Sequence, residues 1–417
     1  MGKALMVSGV DNCSLSTLSG YNLFGWGGIS IPTVEANAQV SCTEGATFSK
    51  LGVNIISGGS GTNNFQFRDA GADGNQLASR AGTGTAEDAT NTDVLTAGDL
   101  FNIAYTDTGT NSVLAWTKAN VEFASGHGNF HGSAHYLGTV CDVASTTLFQ
   151  SLHSSVLVDG ASTEADTEWK TYAYDSFEAL QVRVTANARN NDSVFKNRIN
   201  GGDGTAVITF GSGVTGLITA TGLGDAITAG QTVNTSITLG TGVQDLTVSL
   251  IVGTFKSSTN KSEIFAGAGA GRTRTASSTA HYFPIGGTIP VTLASFTEAQ
   301  ARIKPGFAAV VSNLRCYLSA NTYTGDGTLK LYQNGVAVMT TTLTAAGGAG
   351  WYENTSDTIT IDDDDELSFE FDEGTSGSIT IHSVGITFAP VADTTIAGFD
   401  EYYSRFIGRI DGVGASV

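Results

Sequence analysis

The stretch Glu35-Ala36, followed by Leu51-Gly-Val-Asn-Ile55, decides the fold of this chain because the same pattern recurs twice. The Glu and the Leu lie 16 positions apart in every copy. The other two copies are Glu164-Ala165 with Leu180-Gln-Val-Arg-Val184, and Glu298-Ala299 with Leu314-Arg-Cys-Tyr-Leu318. A pattern that repeats at a fixed period defines the unit that folds. The chain is therefore predicted to contain three tandem copies of one structural unit.

Each copy continues with the same order of strand and turn signals. In the second and third copies an alternating strand runs into a turn at Ile199-Asn-Gly201 and Gln333-Asn334-Gly335. Asn-Gly after alternating apolar residues predicts a β-hairpin. Each copy ends with an apolar-rich strand, at Leu114–Phe123, Leu246–Phe255 and Ile379–Phe388, which recurs at intervals of 132 and 133 positions.

Composition and unit length indicate an all-β protein. The chain has 417 residues, of which 53 are Gly and only 14% are charged, so little material is left for solvated helices. About eight strands per unit fit a jelly roll as well as an immunoglobulin-like sandwich, and the length of about 130 residues favours the jelly roll. We predict three tandem antiparallel β-sandwich, jelly-roll-like domains with a short C-terminal tail. The predicted boundaries are an N-terminal arm (1–20), repeat 1 (21–124), repeat 2 (125–256), a Gly/Ser/Ala-rich linker (257–279), repeat 3 (280–390) and a C-terminal docking tail (391–417).

Charge argues against two classes of partner. The formal net charge is −19, which repels phosphate backbones and anionic membrane surfaces, so neither nucleic acid nor membrane is expected as a partner. No apolar run approaches the roughly 20 residues that span a bilayer. The N-terminal residues are too weakly apolar for a secretory signal. The four cysteines are scattered without metal-ligand spacing.

Three histidines, His127, His131 and His135, are spaced by four positions. On a helix this spacing would place three imidazoles on one face, which suits zinc. Their Gly-rich surroundings are not helical, and His135 is interpreted as the counterpart of His281 in a repeated Ala-His-Tyr motif. We therefore expect no metal site there.

Acidic clusters offer a second, weak metal candidate. The run Asp362, Asp363, Asp364 and Asp365 could supply the oxygen ligands that calcium takes, but it falls where the other copies have an ordinary turn. No nucleophile elbow and no phosphate-binding Gly-rich loop with Lys is present. We therefore expect no enzyme activity, no cofactor and no catalytic residue.

The C-terminal tail carries apolar residues beyond the third copy. An aromatic tail outside a complete sandwich must bury that surface, either on its own chain or on a partner. The predicted docking residues are Phe399, Tyr402, Tyr403, Phe406, Ile407 and Ile410. Separately, the aromatic residues that could stack on a sugar are Trp26, Trp169 and Trp351, for each of which a place in the core is the simpler interpretation.

Several segments of the third copy form a recognisable pattern. They are Phe296-Thr-Glu-Ala-Gln300, Pro305-Gly306, Ser312-Asn-Leu-Arg-Cys-Tyr-Leu318, the Asn334-Gly335 hairpin and Ile379-Thr-Ile-His-Ser-Val-Gly-Ile-Thr-Phe388. Together they resemble β-sandwich modules in structural proteins of tailed bacteriophages. The ending Phe406-Ile-Gly-Arg-Ile-Asp-Gly-Val413 is similar to short tails on such proteins. The first two copies share this resemblance because they align with the third copy in the internal repeat.

This resemblance implies a virion component. The leading hypothesis is a non-enzymatic structural protein of a bacteriophage virion, on the capsid surface as a decoration protein or head fibre, or in the tail. Its partners would be other virion proteins and copies of itself. The alternative is a carbohydrate- or receptor-binding adhesin on the same scaffold, with a host glycan as ligand. A glycan hydrolase is a third hypothesis, since fold alone does not decide function.

Overall fold

The structure, a computed structural model, describes most of the chain. The described residues are 3–15, 19–22, 34–58, 60–108, 112–124, 127–141, 147–152, 163–241, 245–276, 280–289, 296–372 and 374–391. Within them nearly all regular structure is strand, and helix is confined to one turn of α-helix and two short 3-10 segments. The all-β prediction is confirmed.

The strands fall into three sandwiches, which we call units 1, 2 and 3. Unit 1 contains β1 (Ala4–Leu15), β2 (Ser19–Asn22), a 3-10 segment (Glu35–Ala38), β3 (Val40–Ser41), β4 (Ala46–Ser57), β5 (Thr62–Asp69), β6 (Ala72–Ala81), β7 (Gly84–Leu95), β8 (Leu100–Asp107) and β9 (Ser112–Phe123). Unit 2 contains β10 (His127–Cys141), β11 (Thr147–Gln150), a 3-10 segment (Glu164–Asp166), β12 (Trp169–Lys170), β13 (Ser176–Asn187), β14 (Ser193–Ile199), β15 (Gly202–Phe210), β16 (Gly216–Ala226), β17 (Thr232–Thr238) and β18 (Leu246–Ser257). Unit 3 contains β19 (Ser262–Thr275), β20 (His281–Phe283), β21 (Gly287–Thr288), α1 (Glu298–Ala301), β22 (Ala309–Asn321), β23 (Gly327–Gln333), β24 (Val336–Leu343), β25 (Gly350–Ile361), β26 (Leu367–Asp372) and β27 (Ser378–Pro390).

Strand order identifies each unit as a jelly roll. Unit 1 has one sheet in the order β1-β9-β4-β7 and a second in the order β2-β8-β5-β6. Units 2 and 3 have the same two strand orders. The sheets of unit 2 are β10-β18-β13-β16 and β11-β17-β14-β15, and those of unit 3 are β19-β27-β22-β25 and β20-β26-β23-β24. We call the sheet with the first strand the first sheet of its unit. In each first sheet the first long strand lies beside the last one, and the two strand orders together form the double Greek key of a jelly roll and not the immunoglobulin arrangement.

Each sandwich buries the facing sides of its two sheets. In β5, Asn63, Phe65 and Phe67 are buried and alternate with partly exposed neighbours, which is the period of two of a half-buried strand. The Phe48 ring lies 5.0 Å from the Phe67 ring and 4.8 Å from the Phe101 ring between centroids. The buried apolar residues form three clusters, one centred in each unit, so three cores hold the chain together.

The predicted hairpins form tight turns that need a left-handed backbone at both central residues. Asn334 and Gly335 have φ of 51° and 82°, and Asn200 and Gly201 have φ of 50° and 77°. Two successive positive φ angles characterise the type I′ turn, whose twist matches that of the flanking strands. Asn-Gly therefore sets the register of β14 with β15 and of β23 with β24.

Strand pairing changes two predicted boundaries. Ala4–Leu15 pairs along β9, so the predicted arm (1–20) begins unit 1 and supplies its first strand. Ser262–Thr275 pairs along β27, so most of the predicted linker (257–279) is the first strand of unit 3.

The final strand of unit 1 is also two positions out of the predicted alignment. Phe48 pairs with Val121, whereas Phe177, its equivalent in unit 2, pairs with Phe255. The equivalent of Phe255 is thus Val121, and not Phe123. A slip of two positions keeps each side chain on the same face of the strand, so the apolar pattern alone does not reveal it.

Candidate functional site at the seams between the units

The repeated Glu holds the short helix of each unit against a hairpin of its second sheet. In unit 1, Arg68 Nε donates to Glu35 Oε1 at 3.0 Å, and the same guanidinium bonds the carbonyl of Gly71 at the hairpin tip. In unit 2, Arg198 makes the equivalent bonds to Glu164 and to the hairpin tip. The Glu of the repeat is therefore explained by a structural ion pair.

Unit 3 forms this ion pair with an arginine from another position. Arg302, in the turn after α1, donates from Nε to Glu298 Oε2 at 2.7 Å and also pairs with Glu366 at 3.2 Å. A Cβ added to Gly335 would lie 2.7 Å from its guanidinium, so the Arg302 side chain reaches the same hairpin tip.

The segment that follows each Glu lies on the first sheet of the next unit. Residues 39–44 of unit 1 contact unit 2, residues 166–174 of unit 2 contact unit 3, and residues 300–306 of unit 3 contact unit 1. We name these interfaces seam 1–2, seam 2–3 and seam 3–1. The order 1 to 2, 2 to 3 and 3 to 1 makes a closed ring of head-to-tail contacts.

One main-chain carbonyl, six positions after the Glu, accepts a hydrogen bond from a buried side chain at every seam. The acceptor and donor pairs are Ser41 O with Gln181 Nε2 at 2.7 Å, Lys170 O with Arg315 Nε at 2.8 Å, and Lys304 O with Lys118 Nζ at 2.7 Å. The donor differs each time, but the backbone position that receives it does not. The three donors are buried, and a buried donor without an acceptor costs free energy.

Seam 2–3 is built around a fully buried ion pair. Arg315 NH2 lies 2.6 Å from Glu263 Oε1, and both side chains have 0% exposure. The same carboxylate oxygen accepts from Tyr172 N of unit 2 at 2.7 Å and from Thr387 Oγ1 at 3.0 Å. The Arg315 guanidinium also lies 4.8 Å from the centre of the Phe265 ring. A buried ion pair is stable only when further bonds satisfy it, and unit 2 supplies part of that set.

The rim of seam 2–3 carries a second ion pair. Lys170 Nζ lies 2.6 Å from Glu353 Oε2, and Tyr172 OH donates to Glu353 Oε1 at 2.8 Å. Burial and the bond to Glu353 raise the pKa of Tyr172 to about 12. Trp351 covers this pair, with the Lys170 ammonium 5.6 Å from its ring centre.

At seam 3–1 the donor to the main-chain carbonyl is Lys118, which lies on the neighbouring strand β9. Gly52 stands where unit 2 has Gln181 and unit 3 has Arg315, and a Cβ on Gly52 would lie 2.7 Å from Lys118 Cε. Lys118 fills that space, is 1% exposed, and forms an ion pair with Glu87. Burial lowers the pKa of Lys118, while the Glu87 carboxylate opposes this shift.

The first strands of the three units, β1, β10 and β19, meet inside the ring. Asn129 of unit 2 donates from Nδ2 to Leu5 O of unit 1 and to Glu263 O of unit 3, each at 3.2 Å. Its Oδ1 accepts from Phe130 N at 2.9 Å, and the side chain is 1% exposed. One amide therefore joins all three units.

Apolar packing also crosses the seams. Leu5, Val7 and Trp116 of unit 1 belong to the core cluster of unit 3, and Leu250 and Val252 of unit 2 belong to that of unit 1. Phe265 of unit 3 completes the core of unit 2. Each core is thus closed by residues of a neighbouring unit, so the ring folds as one body.

The acidic run at 362–365 forms the turn between β25 and β26. Asp365 accepts from Asp362 N at 2.7 Å, Gln333 Nε2 at 2.6 Å and Asn334 Nδ2 at 2.5 Å. Burial raises the pKa of Asp365, but these bonds outweigh it and lower the pKa below its usual value. Asp99 closes the equivalent turn of unit 1 on Thr96 N. Among the residues that the structure describes, no group of three or more His, Cys, Asp or Glu side chains could hold a metal ion.

The three histidines all lie in β10. His131 is buried, and its Nε2 is 2.7 Å from Tyr174 OH, so it serves the core of unit 2. The side chains of His127 and His135 lie outside those described. The predicted correspondence of His135 with His281 is wrong, because His135 is in the first strand of unit 2 and His281 is in the second strand of unit 3.

The aromatic candidates for sugar stacking do not form an exposed platform in the described part of the chain. Trp169 has 0% exposure and packs 4.5 Å from Phe265 between ring centroids. Trp351 is partly buried at seam 2–3, with its ring 5.4 Å from that of Tyr317. Trp26 lies outside the described residues.

The predicted tail-docking residues also lie outside the described residues, so docking stays a prediction. They are Phe399, Tyr402, Tyr403, Phe406, Ile407 and Ile410.

Sequence reasoning missed the seam residues, although one signal marks them. Gln181 and Arg315 each follow the aligned Leu of the repeat and interrupt an apolar strand, whereas Gly52 at the same position of unit 1 carries no such signal. A polar or charged residue at one fixed position of a buried strand indicates a partner outside the sheet.

Each helix among the described residues has four residues or fewer, far below the roughly 20 that cross a bilayer. No protein-family model matches the chain, and no curated protein matches it.

Solved structures give distant likenesses. One is a structure of the triple jelly-roll fold and turret assembly in an archaeal virus, with 13% identity, 85% of this chain and 82% of that chain covered, and a TM-score of 0.18. Another is of infectious bursal disease virus, with 11% identity, 84% and 72% covered, and a TM-score of 0.19. A third is an insecticidal delta-endotoxin of Bacillus thuringiensis, with 10% identity, 61% and 60% covered, and a TM-score of 0.19. At these TM-scores the likenesses carry no argument about function.

Proposed function

We propose that this chain is a non-enzymatic structural protein of a bacteriophage particle, in which one polypeptide acts as a ready-made trimer. The observation that carries the proposal is the closed ring of three jelly rolls. Its three seams use equivalent backbone positions, each bonded by a buried side chain of the next unit. Head-to-tail interfaces that close in this way are typical of cyclic oligomers.

The use of buried charge supports a role in packing. Catalytic sites place perturbed ionisable groups in a cleft, where a substrate reaches them. Here the buried Arg315, Glu263 and Lys118 are bonded across seams and hold units together. Because these charged groups hold units together, their arrangement supports a non-enzymatic role.

The net charge of −19 supports a position on the outside of a particle. A surface of this sign is repelled by packaged nucleic acid and is compatible with high local copy number. The capsid surface, as decoration or head fibre, and the tail both satisfy this condition. The partners are then other virion proteins and further copies of this chain, and the resemblance of unit 3 to modules of tailed-phage proteins supports this placement.

Fractionation of particles tests the proposal. Particles from the source culture are purified by density gradient, and the chain is quantified by mass spectrometry against the major capsid protein. We expect a fixed ratio of the two proteins across the particle peak. A chain that stays in the soluble fraction, or turns over polysaccharide when purified, would contradict the proposal.

A truncation tests the docking tail separately. A variant that ends at residue 393 keeps all described strands, so it is expected to fold but to enter particles in reduced amount. Normal incorporation would show that the tail is not the docking element, and the particle fractionation would still stand on its own result.

A further inference from the structure

The final strand of every unit contains one extra residue, and in unit 3 that residue is a histidine. The pairing of this strand with its central neighbour skips Ala115 in β9, Ser249 in β18 and His382 in β27. A residue inserted in this way forms a β-bulge, which re-aims its side chain. Ala115 of unit 1 belongs to the core cluster of unit 3, and His382 of unit 3 faces Asp166 of unit 2, so the bulge lies at a seam. Of the three bulged residues, only His382 titrates near neutral pH.

The His382 ring is enclosed between units 2 and 3. Its Nε2 lies 2.9 Å from Ser319 Oγ of β22 and 3.8 Å from Oδ1 of Asp166, the last residue of the 3-10 segment of unit 2. The Tyr317 ring is 5.9 Å away between centroids. Gly271 of β19 is so close that a Cβ there would lie 2.8 Å from the same Nε2. The His382 side chain is only 5% exposed, so protein and not solvent surrounds the ring.

One nitrogen of this ring has nothing to bond. His382 Nδ1 is buried and has no hydrogen-bond partner among the described residues. A neutral imidazole carries a single N–H, whereas the protonated ring carries an N–H on both nitrogens. Protonation therefore places a donor where the seam offers no acceptor, and a buried donor without an acceptor costs free energy.

The charges around the ring compensate for this cost only in part. Within the described residues Asp166 is the charged side chain that acts on His382, and its carboxylate is 26% exposed. Tyr317 stays neutral, because burial and the nearby Asp166 and Glu168 raise its pKa. Arg272 of β19 is bonded to a main-chain carbonyl. Burial outweighs the effect of Asp166 and lowers the pKa of His382 below its usual value.

We propose that His382 makes seam 2–3 acid-sensitive: when the ring is protonated, the 3-10 segment of unit 2 moves off unit 3 and water reaches the ring, while seams 1–2 and 3–1 stay closed. The sign follows from proton binding, because the open seam binds the extra proton more readily than the closed one. The closed seam is therefore fully stable above the usual histidine pKa of about 6.5, and it loses stability as the pH falls toward the lowered pKa. The ring opens at one seam without coming apart. This inference does not depend on the proposed function.

Hydrogen exchange of the full chain, read by mass spectrometry, tests the proposal with an internal control. The amide of Tyr172 crosses seam 2–3 to Glu263 Oε1 at 2.7 Å, and the amide of Ser41 crosses seam 1–2 to Gln181 Oε1 at 2.9 Å. Exchange at these two amides thus reports on one seam each. We expect the protection of the Tyr172 amide, corrected for the intrinsic exchange rate, to fall between about pH 8 and pH 5, by about 10-fold for each unit by which burial lowers the pKa of His382. The protection of the Ser41 amide should change less.

Two variants and a control decide whether His382 is the group that titrates. His382→Gln removes the titrating ring, so the pH dependence of the Tyr172 amide should fall to that of the Ser41 amide. Asp166→Asn removes the carboxylate that favours the protonated ring, so the loss of protection in acid should become larger. His281→Gln, at a buried histidine in the second sheet of unit 3, keeps the pH dependence of the unmodified chain. Equal pH dependence of the two amides in the unmodified chain, an unchanged pH dependence in His382→Gln, or a smaller loss in Asp166→Asn overturns the proposal.

Discussion

Seam 2–3 and seam 3–1 use equivalent backbone positions, but large side chains fill the first interface and small ones leave a cavity in the second. Seam 2–3 fills the interface with Arg315 and Trp351 and buries a carboxylate, Glu263, beneath them. In seam 3–1, Gly52 stands in place of Arg315 and Thr85 in place of Trp351. The donor, Lys118, comes from the adjacent strand, and a cavity of about 160 Å³ remains. The backbone acceptor is the constant element, and the donors vary around it.

This difference distinguishes the hydrogen bond that all three seams share from the contacts that belong to one seam only. Every seam bonds one main-chain carbonyl to a buried side-chain donor, and a buried donor needs an acceptor. The cost of losing the donor depends on what else is buried with it. Seam 2–3 is therefore expected to be more sensitive to substitution than seam 3–1.

The largest effect is expected for Glu263→Ala. It leaves the Arg315 guanidinium in a site of 0% exposure without its carboxylate. Breaking one side of a buried ion pair costs about 3–5 kcal/mol in free energy of unfolding. Urea denaturation measures this loss, with the double variant Glu263→Leu/Arg315→Met as the control that removes both charges. The double variant is expected to be more stable than the single one, and a single variant that loses under about 1 kcal/mol would contradict this reading of seam 2–3.

Lys118→Met is expected to cost less, about 1–3 kcal/mol. Lys304 O loses its donor, but the Glu87 side chain is 26% exposed and can be hydrated once its partner is gone. Lys196→Met is the matched control, since Lys196 forms an ion pair with Asp203 at 37% exposure and exposed pairs contribute about 0–1 kcal/mol. Equal losses for the two variants in urea denaturation would mean that seam 3–1 does not depend on Lys118.

Thr85→Leu is expected to raise stability by about 1 kcal/mol, because it fills a cavity with the residue type that seam 1–2 already accommodates at the equivalent Leu217. Thermal denaturation measures the shift. Thr85→Ser, which enlarges the hole, should shift the midpoint the other way. A lower midpoint for Thr85→Leu would show that the space is not available for a side chain.

The smallest effect is a rise of stability with pH that depends on Lys118 of seam 3–1. Burial lowers the pKa of Lys118 below its unfolded value of about 10.4, so between the two values the unfolded chain binds more protons than the folded chain. Stability therefore rises with pH in that range, and the difference between the unmodified chain and Lys118→Met grows as the pH approaches the unfolded value. Arg315 stays protonated throughout, so an Arg315→Met variant should show no such trend in its difference. A flat difference for Lys118→Met would contradict the lowered pKa.

The sequence predicted the units but not the ring. Period-two alternation and Asn-Gly turns identify strands and hairpins locally, which is why β14, β15, β23 and β24 follow from the pattern. The bonds of Gln181, Arg315 and Lys118 join residues more than a hundred positions apart, and no local pattern specifies them.

The predicted linker shows how composition misleads. The Gly-Ala run of β19 has the composition of a flexible linker, yet Ala266 and Ala268 are buried near the centre of the ring. Small residues are needed where neighbouring strands approach closely. Gly271, inside this run, illustrates the need, because a Cβ there would lie 2.8 Å from Thr380 Cγ2 of β27. Close packing, and not flexibility, explains this composition.

The sequence before and within α1 contains two Ser/Thr residues that are followed three positions later by Glu or Gln, namely Ser295 with Glu298 and Thr297 with Gln300. Thr297 and Gln300 form the capping box. The Glu298 side chain instead forms an ion pair with Arg302. The same Ser/Thr-rich segment offers two registers to a capping box, and the ion pair with Arg302 selects one of them.

Closure of the ring at seam 3–1 is the central claim, and cross-linking of lysines tests it most directly. Lys50 Nζ donates to Gly306 O at 2.6 Å, two positions beyond Lys304, although 254 positions separate the two lysines in the chain. A short amine-reactive cross-linker is applied to a dilute mixture of ¹⁴N and ¹⁵N protein, so that mass spectrometry separates links within a chain from links between chains. The ring predicts a Lys50–Lys304 link in which both peptides carry the same isotope. A mixed-isotope link alone, or no link in a folded sample, would mean that units 1 and 3 of one chain do not meet.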